Sequence, residues 1–195
     1  RADLVRVSLI AAVHAPSAII MLTMIVCLLG RIHHCMRAIG IGERALESMM
    51  LRATERETFG KKLAQHDTVI AEIAHSRMEI DQARQLVLKT ADMIDRVGPK
   101  GALKEIAMVK VIVPNTCLKV IDRAIQLYGA GGLNADVELP MMWAAMRALR
   151  IADGPDAVHT AQIGRLELRR VKEIRERVAK RGQAKDLGAL DEVAS

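Results

Sequence analysis

Apolar residues recur at helical spacing through most of this chain. Between residues 69 and 94, and again between residues 106 and 127, apolar side chains are separated mainly by three or four positions. A helix with about 3.6 residues per turn places such positions in one stripe on one face. The pattern predicts two long helices that each bury one face. A further helix, with small side chains on its early turns, is predicted before them over residues 31–57.

Short polar or glycine-rich segments separate the predicted helices. Residues 58–67 connect the first helix to the second, residues 98–101 form a turn, and residues 129–132 end the third helix. A shorter helix follows over residues 138–151, and residues 153–156 break the chain before a last helix. Long helices with short connections predict an all-α fold, an antiparallel helical bundle without a sheet.

The composition agrees with this fold class. The chain has 195 residues, of which 51% are hydrophobic and only 2% are aromatic. Sheets favour aromatic and β-branched residues, whereas this chain favours good helix formers such as Ala, Leu, Met and Arg. Pro114 lies inside the third predicted helix, where it should kink the helix or remove one hydrogen bond.

An apolar run near the start of the chain has no assignment from its pattern. Residues 8–30 contain no Asp, Glu, Lys or Arg, and a membrane-spanning helix needs about 20 apolar residues. Pro16 divides the run, so we expect that it does not span a bilayer. A signal-type segment, a buried core helix and sequence foreign to the domain, from an imperfect gene model, remain open. Residues 1–30 are therefore predicted as a separate segment, ahead of a bundle over residues 31–170.

Charge and cysteines exclude several classes of function. The net charge is +6, but basic and acidic residues are mixed, and the tail over residues 171–195 is predicted to be a charged, partly frayed helix. Aromatic residues that could stack on bases are too few for a nucleic-acid surface. A mildly basic surface is favoured over a phosphate-bearing cofactor. The three cysteines are too scattered for a disulfide framework or a metal site.

The first segment with candidate chemistry is Arg56-Glu57-Thr58-Phe59-Gly60. An Arg at a helix end can present its guanidinium to a pyrophosphate, because its fork matches two phosphate oxygens. In the simpler interpretation, Arg56 stabilises the helix C-terminus and Gly60 caps it. On local pattern alone, the simpler interpretation is favoured.

The second segment runs from Gln126 to Gly132 and holds three glycines in four residues, Gly129, Gly131 and Gly132. Glycines allow a ligand to approach the backbone. The predicted element before them is a helix and not a strand, so this is not a dinucleotide-binding fingerprint. A helix end followed by a loop explains the segment equally well.

The third segment is Ile151-Ala152-Asp153-Gly154-Pro155-Asp156. Asp153 could cap the last helix through its carboxylate. It could also act as a general base at the break between two helices. Capping is the more common use of such a residue.

The three segments, in this order, resemble the C-terminal domain of acyl-CoA dehydrogenases. That family has an Arg-x-x-Phe-Gly segment, matched by Arg56, Phe59 and Gly60. Its Gln-x-x-Gly-Gly-x-Gly segment is matched by Gln126, Gly129 and Gly132, with an Ala in place of one Gly. Its Ile-Tyr-Glu-Gly-Thr segment, which commonly carries the catalytic carboxylate, falls at residues 151–155. The stretches over residues 31–47 and 152–159 look most like a subgroup in which some members carry a kinase-like domain.

The resemblance implies a flavin-dependent enzyme with acyl-CoA as substrate and FAD as cofactor. Asp153 would remove the α-proton of the thioester, and Arg31 and Gly154 would contact the substrate. Arg56, with Thr58 and Phe59, would bind the flavin pyrophosphate of a neighbouring subunit in a homo-oligomer, a dimer or a tetramer. The residues implied at the adenosine-diphosphate end of FAD are Gln126, Gly129 and Gly132.

The resemblance also implies an electron-accepting flavoprotein or oxygen as the oxidant, and it implies a soluble protein in the bacterial cytoplasm, the mitochondrion or the peroxisome. The domains that hold most of the flavin and substrate in the family are not in this sequence, so we expect the chain to be inactive alone. Asp153 is one methylene shorter than the Glu usual in the family, and Pro155 stands in place of a Thr. The alternative is a non-enzymatic helical interaction module anchored by the apolar N-terminal segment.

Overall fold

A computed structural model describes the backbone of residues 16–193 and the side chains of residues 30–182. The elements, in chain order, are the helices α1 Pro16–Glu55, α2 Asp67–Gly101, α3 Leu103–Tyr128, α4 Leu139–Leu149, α5 Asp156–Leu168 and α6 Val171–Val193, with the strands β1 Glu57–Thr58 and β2 Lys61–Lys62 and the 3₁₀ helices Leu63–Gln65 and Gly129–Leu133. The predicted all-α bundle is confirmed. The expected absence of a sheet is wrong in one detail, because β1 and β2 form a small antiparallel hairpin.

Helix α3 lies at the centre of the bundle, because it packs against α1, α2, α4 and α5. Consecutive long helices are joined by short connections and pack against each other, so they run antiparallel. The predicted stripe of α3 is the buried one, and each large apolar side chain in it contributes about 1.5–3 kcal/mol by leaving water. Its buried apolar residues include Ile106, Val109, Val113, Cys117, Val120, Ile121 and Ala124.

The small residues of α1 allow α3 to approach closely. Ala38 and Ala45 are fully buried, and a Cβ on Gly42 would lie 3.2 Å from the Cys117 sulfur. The close approach predicted from the sequence therefore occurs within this chain. Helix α3 passes through Pro114 with helical backbone angles, so the carbonyl of Lys110 loses its helical N–H partner because proline has none.

Helix boundaries differ from the predictions at three places. Helix α1 runs without a break through residue 30, and residues 1–15 of the apolar segment lie outside the described part of the chain. The turn predicted at residues 98–101 begins at Gly98, whose backbone leaves the helical region at φ 74° and ψ 167°. The last predicted helix is divided at residues 169–170 into α5 and α6.

Within the described backbone, no helix combines the length and the apolar composition that crossing a bilayer requires.

Candidate functional site

Asp153 lies in the short loop between α4 and α5, in an unusual backbone conformation. Its φ is +55°, and Gly154 follows with a φ of +101°. Asp tolerates the left-handed region better than most residues, because its short polar side chain can bond locally, and glycine adopts it freely. Two successive left-handed residues turn the chain sharply and leave the Asp153 side chain 33% exposed.

The capping role considered for Asp153 is wrong. The residue at the N-cap of α5 is Pro155, and no side chain caps that helix end. The backbone carbonyl of Asp153 instead accepts a hydrogen bond from the buried ring of His159, with 3.2 Å between Nε2 and the oxygen. The Asp153 carboxylate is thus not needed to start α5.

A buried lysine of the central helix binds the backbone of the same loop. Lys110 of α3 has no exposed surface, and its ammonium donates to the carbonyls of Leu149 and Gly154, the latter at 3.4 Å. Burial lowers the pKa of Lys110, and the charge of Asp156 opposes this shift. Lys110 was not among the residues predicted from the sequence, although a charged residue within the apolar stripe of α3 is a visible signal.

Asp156, in the first turn of α5, completes the polar surroundings of the loop. Its Oδ2 accepts hydrogen bonds from Arg150 Nε at 2.6 Å and Asn115 Nδ2 at 3.1 Å. Burial would raise the pKa of Asp156, but these two hydrogen bonds lower it overall. The Asp156 carboxylate is therefore bound by side chains within the domain, whereas the Asp153 carboxylate is partly exposed to solvent.

A groove between α1 and α4 opens beside Asp153. Its volume is about 250 Å³, and its walls are mostly small or apolar side chains with two basic residues on the α1 edge. His34, one of the two, lies with Nε2 3.9 Å from Asp153 Oδ2. Arg31 lies one helical turn before His34, and its buried Nε has no hydrogen-bond partner among the described residues. The lining residues are His34, Arg37, Ala38, Ile41, Ala145, Met146, Ala148, Leu149 and Ala152.

The Arg56 segment forms the β1–β2 hairpin, which follows the C-terminal end of α1. Phe59 and Gly60 make its two-residue turn, both with positive φ, 52° and 77°, which is the geometry of a type I′ turn. The Phe59 side chain is 100% exposed. Gly60 does not cap α1 as the simpler interpretation proposed, because the helix ends at Glu55.

The polar groups of the hairpin are mostly paired, apart from the Arg56 guanidinium. Glu57 pairs with Lys62 at 3.2 Å and not with Arg56, whose side chain is exposed. The Thr58 hydroxyl lies 3.4 Å from His66 Nε2.

The Gly129–Gly132 segment lies near the same end of the bundle. Tyr128 Oη donates to the carbonyl of Ser48, and the Arg52 guanidinium lies 5.2 Å from the Tyr128 ring centre. Gln126 is exposed and lines a pocket of about 380 Å³ between α1, α2 and α3. Gly132 is buried, and a Cβ there would lie 2.6 Å from the Ile125 carbonyl, so internal packing already requires glycine at this position.

The predicted site residues therefore form two groups rather than one. Arg31, Asp153 and Gly154 lie at the middle of α1, whereas Arg56 and Gln126 lie near its C-terminal end. On α1, His34 contacts Asp153 of the first group and Arg52 contacts Tyr128 beside the second group. The two groups are therefore separated along this helix by about 27 Å, at a rise of about 1.5 Å per residue.

The described cysteines take no part in either group. Cys35 and Cys117 are buried, and their thiols donate to the carbonyls of Val109 and Ala38. Burial raises the pKa of each thiol to about 12. In the part of the chain with described side chains, no three His, Cys, Asp or Glu residues are arranged to hold a metal ion.

Fold and site together define a helical-bundle domain with a surface carboxylate at one end and a free arginine on a hairpin at the other. The sequence model for the C-terminal domain of acyl-CoA dehydrogenases matches residues 22–168. This chain belongs to the acyl-CoA dehydrogenase family, as the resemblance predicted. The match begins before residue 31, where the sequence predicted the start of the bundle, and that domain division remains a prediction.

Individual relatives give the same result. The chain is 56% identical over 139 residues to Acyl-CoA dehydrogenase family member 11 of Gallus gallus, a match that covers 71% of this chain and 18% of that protein. It is 51% identical over 140 residues to the protein of the same name from Homo sapiens, covering 72% and 18%.

A solved structure agrees with the fold. The butyryl-CoA dehydrogenase of Megasphaera elsdenii matches with a TM-score of 0.69 at 26% identity, over 74% of this chain and 37% of that one.

This chain spans less than a fifth of the length of the two family member 11 proteins from Gallus gallus and Homo sapiens.

Proposed function

We propose that this chain is the C-terminal domain of a flavin-dependent acyl-CoA dehydrogenase in which Asp153 is the general base. The observation that carries the proposal is the Asp153 loop. A partly exposed carboxylate lies beside a mostly apolar groove, in a backbone conformation that the buried side chains of Lys110 and His159 support. Strained conformations that are held by their surroundings occur preferentially at active sites.

In the proposed reaction, Asp153 takes the α-proton of an acyl-CoA thioester. FAD, when bound, would supply the acceptor for the hydride of the β-carbon. A carboxylate acts as a base in this way only if it lies within hydrogen-bond distance of the proton that it removes. The loop supports this role because the backbone of Asp153 is held on one side by His159 and, through Gly154, on the other by Lys110.

The groove between α1 and α4 offers the matching substrate surface. Its alanines, with Ile41 and Met146, suit an acyl chain, because apolar walls favour an apolar ligand. Arg31, one helical turn before His34, and Gly154, which follows Asp153, would contact the thioester end.

The hairpin end of the domain fits the anionic, aromatic character of FAD. The Arg56 guanidinium is exposed and its neighbour Glu57 is already paired, which leaves it free for pyrophosphate oxygens. The exposed Phe59 ring offers a stacking surface next to it. Thr58 belongs to the same hairpin, and the residues proposed for the adenosine-diphosphate end are Gln126, Gly129 and Gly132.

The distance between the two ends implies that they serve different active sites. Asp153 contacts His34 near the middle of α1, and Arg56 follows the C-terminal end of this helix, about 30 Å away by helix length. Arg56 would therefore bind a flavin whose substrate is deprotonated by the Asp153 of another subunit. A homo-oligomer, a dimer or a tetramer, provides this arrangement. The proposed final oxidant is an electron-accepting flavoprotein or oxygen.

The Asp153→Asn variant of a full-length protein that contains this chain tests the proposal. Asn also tolerates a left-handed backbone, so the loop, the flavin absorbance and acyl-CoA binding should remain. Flavin reduction by acyl-CoA should slow by at least about a hundredfold, the lower range for loss of a general base. Asp95→Asn, on the exposed face of α2, is the matched control and should react at the wild-type rate. A wild-type rate for Asp153→Asn would contradict the assignment of the base.

A further inference from the structure

Lys110 is the one fully buried ammonium in the part of the chain with described side chains, and it lies directly beneath the Asp153 loop. It belongs to the apolar stripe of α3, where most neighbours are Val, Ile and Ala. Placing a charged group there is unfavourable unless the group is compensated by hydrogen bonds and opposite charge. A bundle core alone does not require a lysine at this position, since an apolar side chain of similar length would fill it.

The contacts of Lys110 indicate what it does. Its ammonium donates to the carbonyl of Leu149, the last residue of α4, and to the carbonyl of Gly154. Terminal carbonyls of a helix have no N–H partner within that helix and carry partial negative charge, so a cation is favourable there. One side chain therefore joins the end of α4 to the residue that follows Asp153.

Two further groups fix the same loop at other atoms. His159 lies with Nε2 3.2 Å from the Asp153 carbonyl, so the Nε2–H tautomer is the one that donates. Asp156 holds Arg150 and Asn115 through one carboxylate oxygen. The loop is therefore held at Asp153, at Gly154 and at the start of α5. Of these attachments, Lys110 is the one that joins a side chain of the central helix directly to backbone carbonyls on both sides of the break.

We propose that Lys110 is a positioning residue for proton abstraction, which holds the Asp153–Gly154 loop in its left-handed conformation and thereby fixes the carboxylate beside the groove. The inference rests on the proposed role of Asp153 as the base. Lys110 itself is buried under the loop backbone, so it would affect the reaction only through the position of Asp153. Without it, the carbonyls of Leu149 and Gly154 lose their buried donor and the loop can relax.

The test compares two lysines of α3 in a full-length, flavin-loaded protein that contains this chain. Lys110→Met keeps the length of the side chain and removes its donors. Lys104→Met is the matched control, because Lys104 pairs at 2.9 Å with Glu167 of α5 and does not contact the loop. For each variant, the acyl-CoA dissociation constant, the single-turnover rate of flavin reduction and the amide hydrogen exchange of residues 150–158 are measured.

Lys110→Met is expected to bind acyl-CoA with unchanged affinity and to reduce its flavin about 10- to 100-fold more slowly, since displacing a catalytic group by about 1 Å has effects of this size. Exchange at the Asp156 amide, which donates to the Arg150 carbonyl, should accelerate, while amides in the core of α2 keep their protection. Lys104→Met should match the wild type in all three measurements. A wild-type rate and unchanged loop exchange in Lys110→Met would overturn the proposal, and so would a uniform loss of protection throughout the bundle.

A double variant separates positioning from general destabilisation. If Lys110 acts through Asp153, adding Lys110→Met to Asp153→Asn should slow flavin reduction little further. Multiplicative effects of the two substitutions would overturn the proposal. If Lys110→Met does not retain flavin, Lys110→Gln takes its place in the same comparisons, and the same outcomes decide. A wild-type rate in Asp153→Asn alone would instead refute the proposed function.

Discussion

Phe59 and Asp153 are the two non-glycine residues with a positive φ in the described part of the chain, and each belongs to one of the two proposed functional ends. An L-residue in the left-handed region is less stable than glycine by about 1–2 kcal/mol. Such strain persists where the surrounding structure enforces it. For Asp153 the enforcing contacts come from Lys110 and His159, whereas Phe59 is held only by the two short strands of its hairpin.

Replacing Phe59 with glycine should separate stability from cofactor binding. The ring is fully exposed, so its removal loses no packing within this chain. Because glycine adopts this turn geometry without strain, the free energy of unfolding should stay unchanged or rise by up to about 1 kcal/mol. The same substitution should weaken FAD retention in the full-length protein, measured as flavin released on dilution. Phe59→Ala, which keeps the strain, should weaken FAD retention equally without any gain in stability. A Phe59→Gly protein that holds FAD as the wild type does would refute the role of this side chain.

The residues of the candidate site remain predictions from the sequence, whereas the contacts that hold the Asp153 loop are seen only in the structure. Asp153, Arg56 and Gln126 could be proposed because their segments follow one another in the order found in the family. The support of the loop could not be predicted, because it comes from Lys110 on α3 and His159 on α5. Helical periodicity shows which face of a helix is buried, but it does not show which carbonyl a buried lysine will meet.

At the level of elements, α1 and α2 are joined by charges as well as by apolar contacts. The Glu43 carboxylate of α1 accepts hydrogen bonds from Arg77 at 2.7 and 2.8 Å and also from Arg84, both on α2. The hydrogen bonds from Arg77 are the main cause that lowers the pKa of Glu43 below its ordinary value of 4.5. A carboxyl group with a lowered pKa stabilises the folded state above its unfolded pKa, and this contribution is lost as the pH falls through the folded pKa.

Glu43→Gln should therefore destabilise this chain by about 1–2 kcal/mol at pH 7, a value reduced by the partial exposure of both arginines. The difference from the wild type should shrink as the pH is lowered from about 4.5, because the wild-type carboxyl then becomes neutral too. Urea unfolding followed by circular dichroism at several pH values measures both effects. Asp92→Asn, which breaks an exposed ion pair within α2, is the control and should cost less than about 0.5 kcal/mol. A Glu43→Gln penalty that persists undiminished at low pH would contradict this account.

The helices were predictable because their stripes are long, whereas the smaller features were not. Each strand of the hairpin has only two residues, too few to produce an alternating pattern. The boundary predicted at residue 30 rested on a change from apolar to charged composition, and helix α1 continues through it because both sides consist of residues that a helix accepts. The division between α5 and α6 falls at Arg169 and Arg170, in a segment over residues 165–178 that mixes charged and apolar residues and contains no Gly or Pro to mark a break.

For the whole molecule, the separation of the two ends has the largest consequence. The rigid length of α1 keeps Asp153 and Arg56 of one chain apart, so neither could serve a flavin bound at the other end. An active site that uses both residues must combine two chains. The fold alone would also suit an interaction module, and the proposed joint role of Asp153 and Arg56 is what distinguishes an enzyme from such a module.

Mixed oligomers of Asp153→Asn and Arg56→Ala subunits test this central claim most directly. The two full-length variants are co-expressed with different affinity tags, and the mixed oligomers are purified through both tags in succession. If the site is shared, one site of a mixed dimer combines an intact Asp153 with the partner's intact arginine, so that site should retain FAD and reduce it with acyl-CoA at the wild-type rate. Each variant alone should be slow or flavin-depleted. A mixed oligomer no more active than the two parent variants would contradict the account, because both residues would then have to act within one chain.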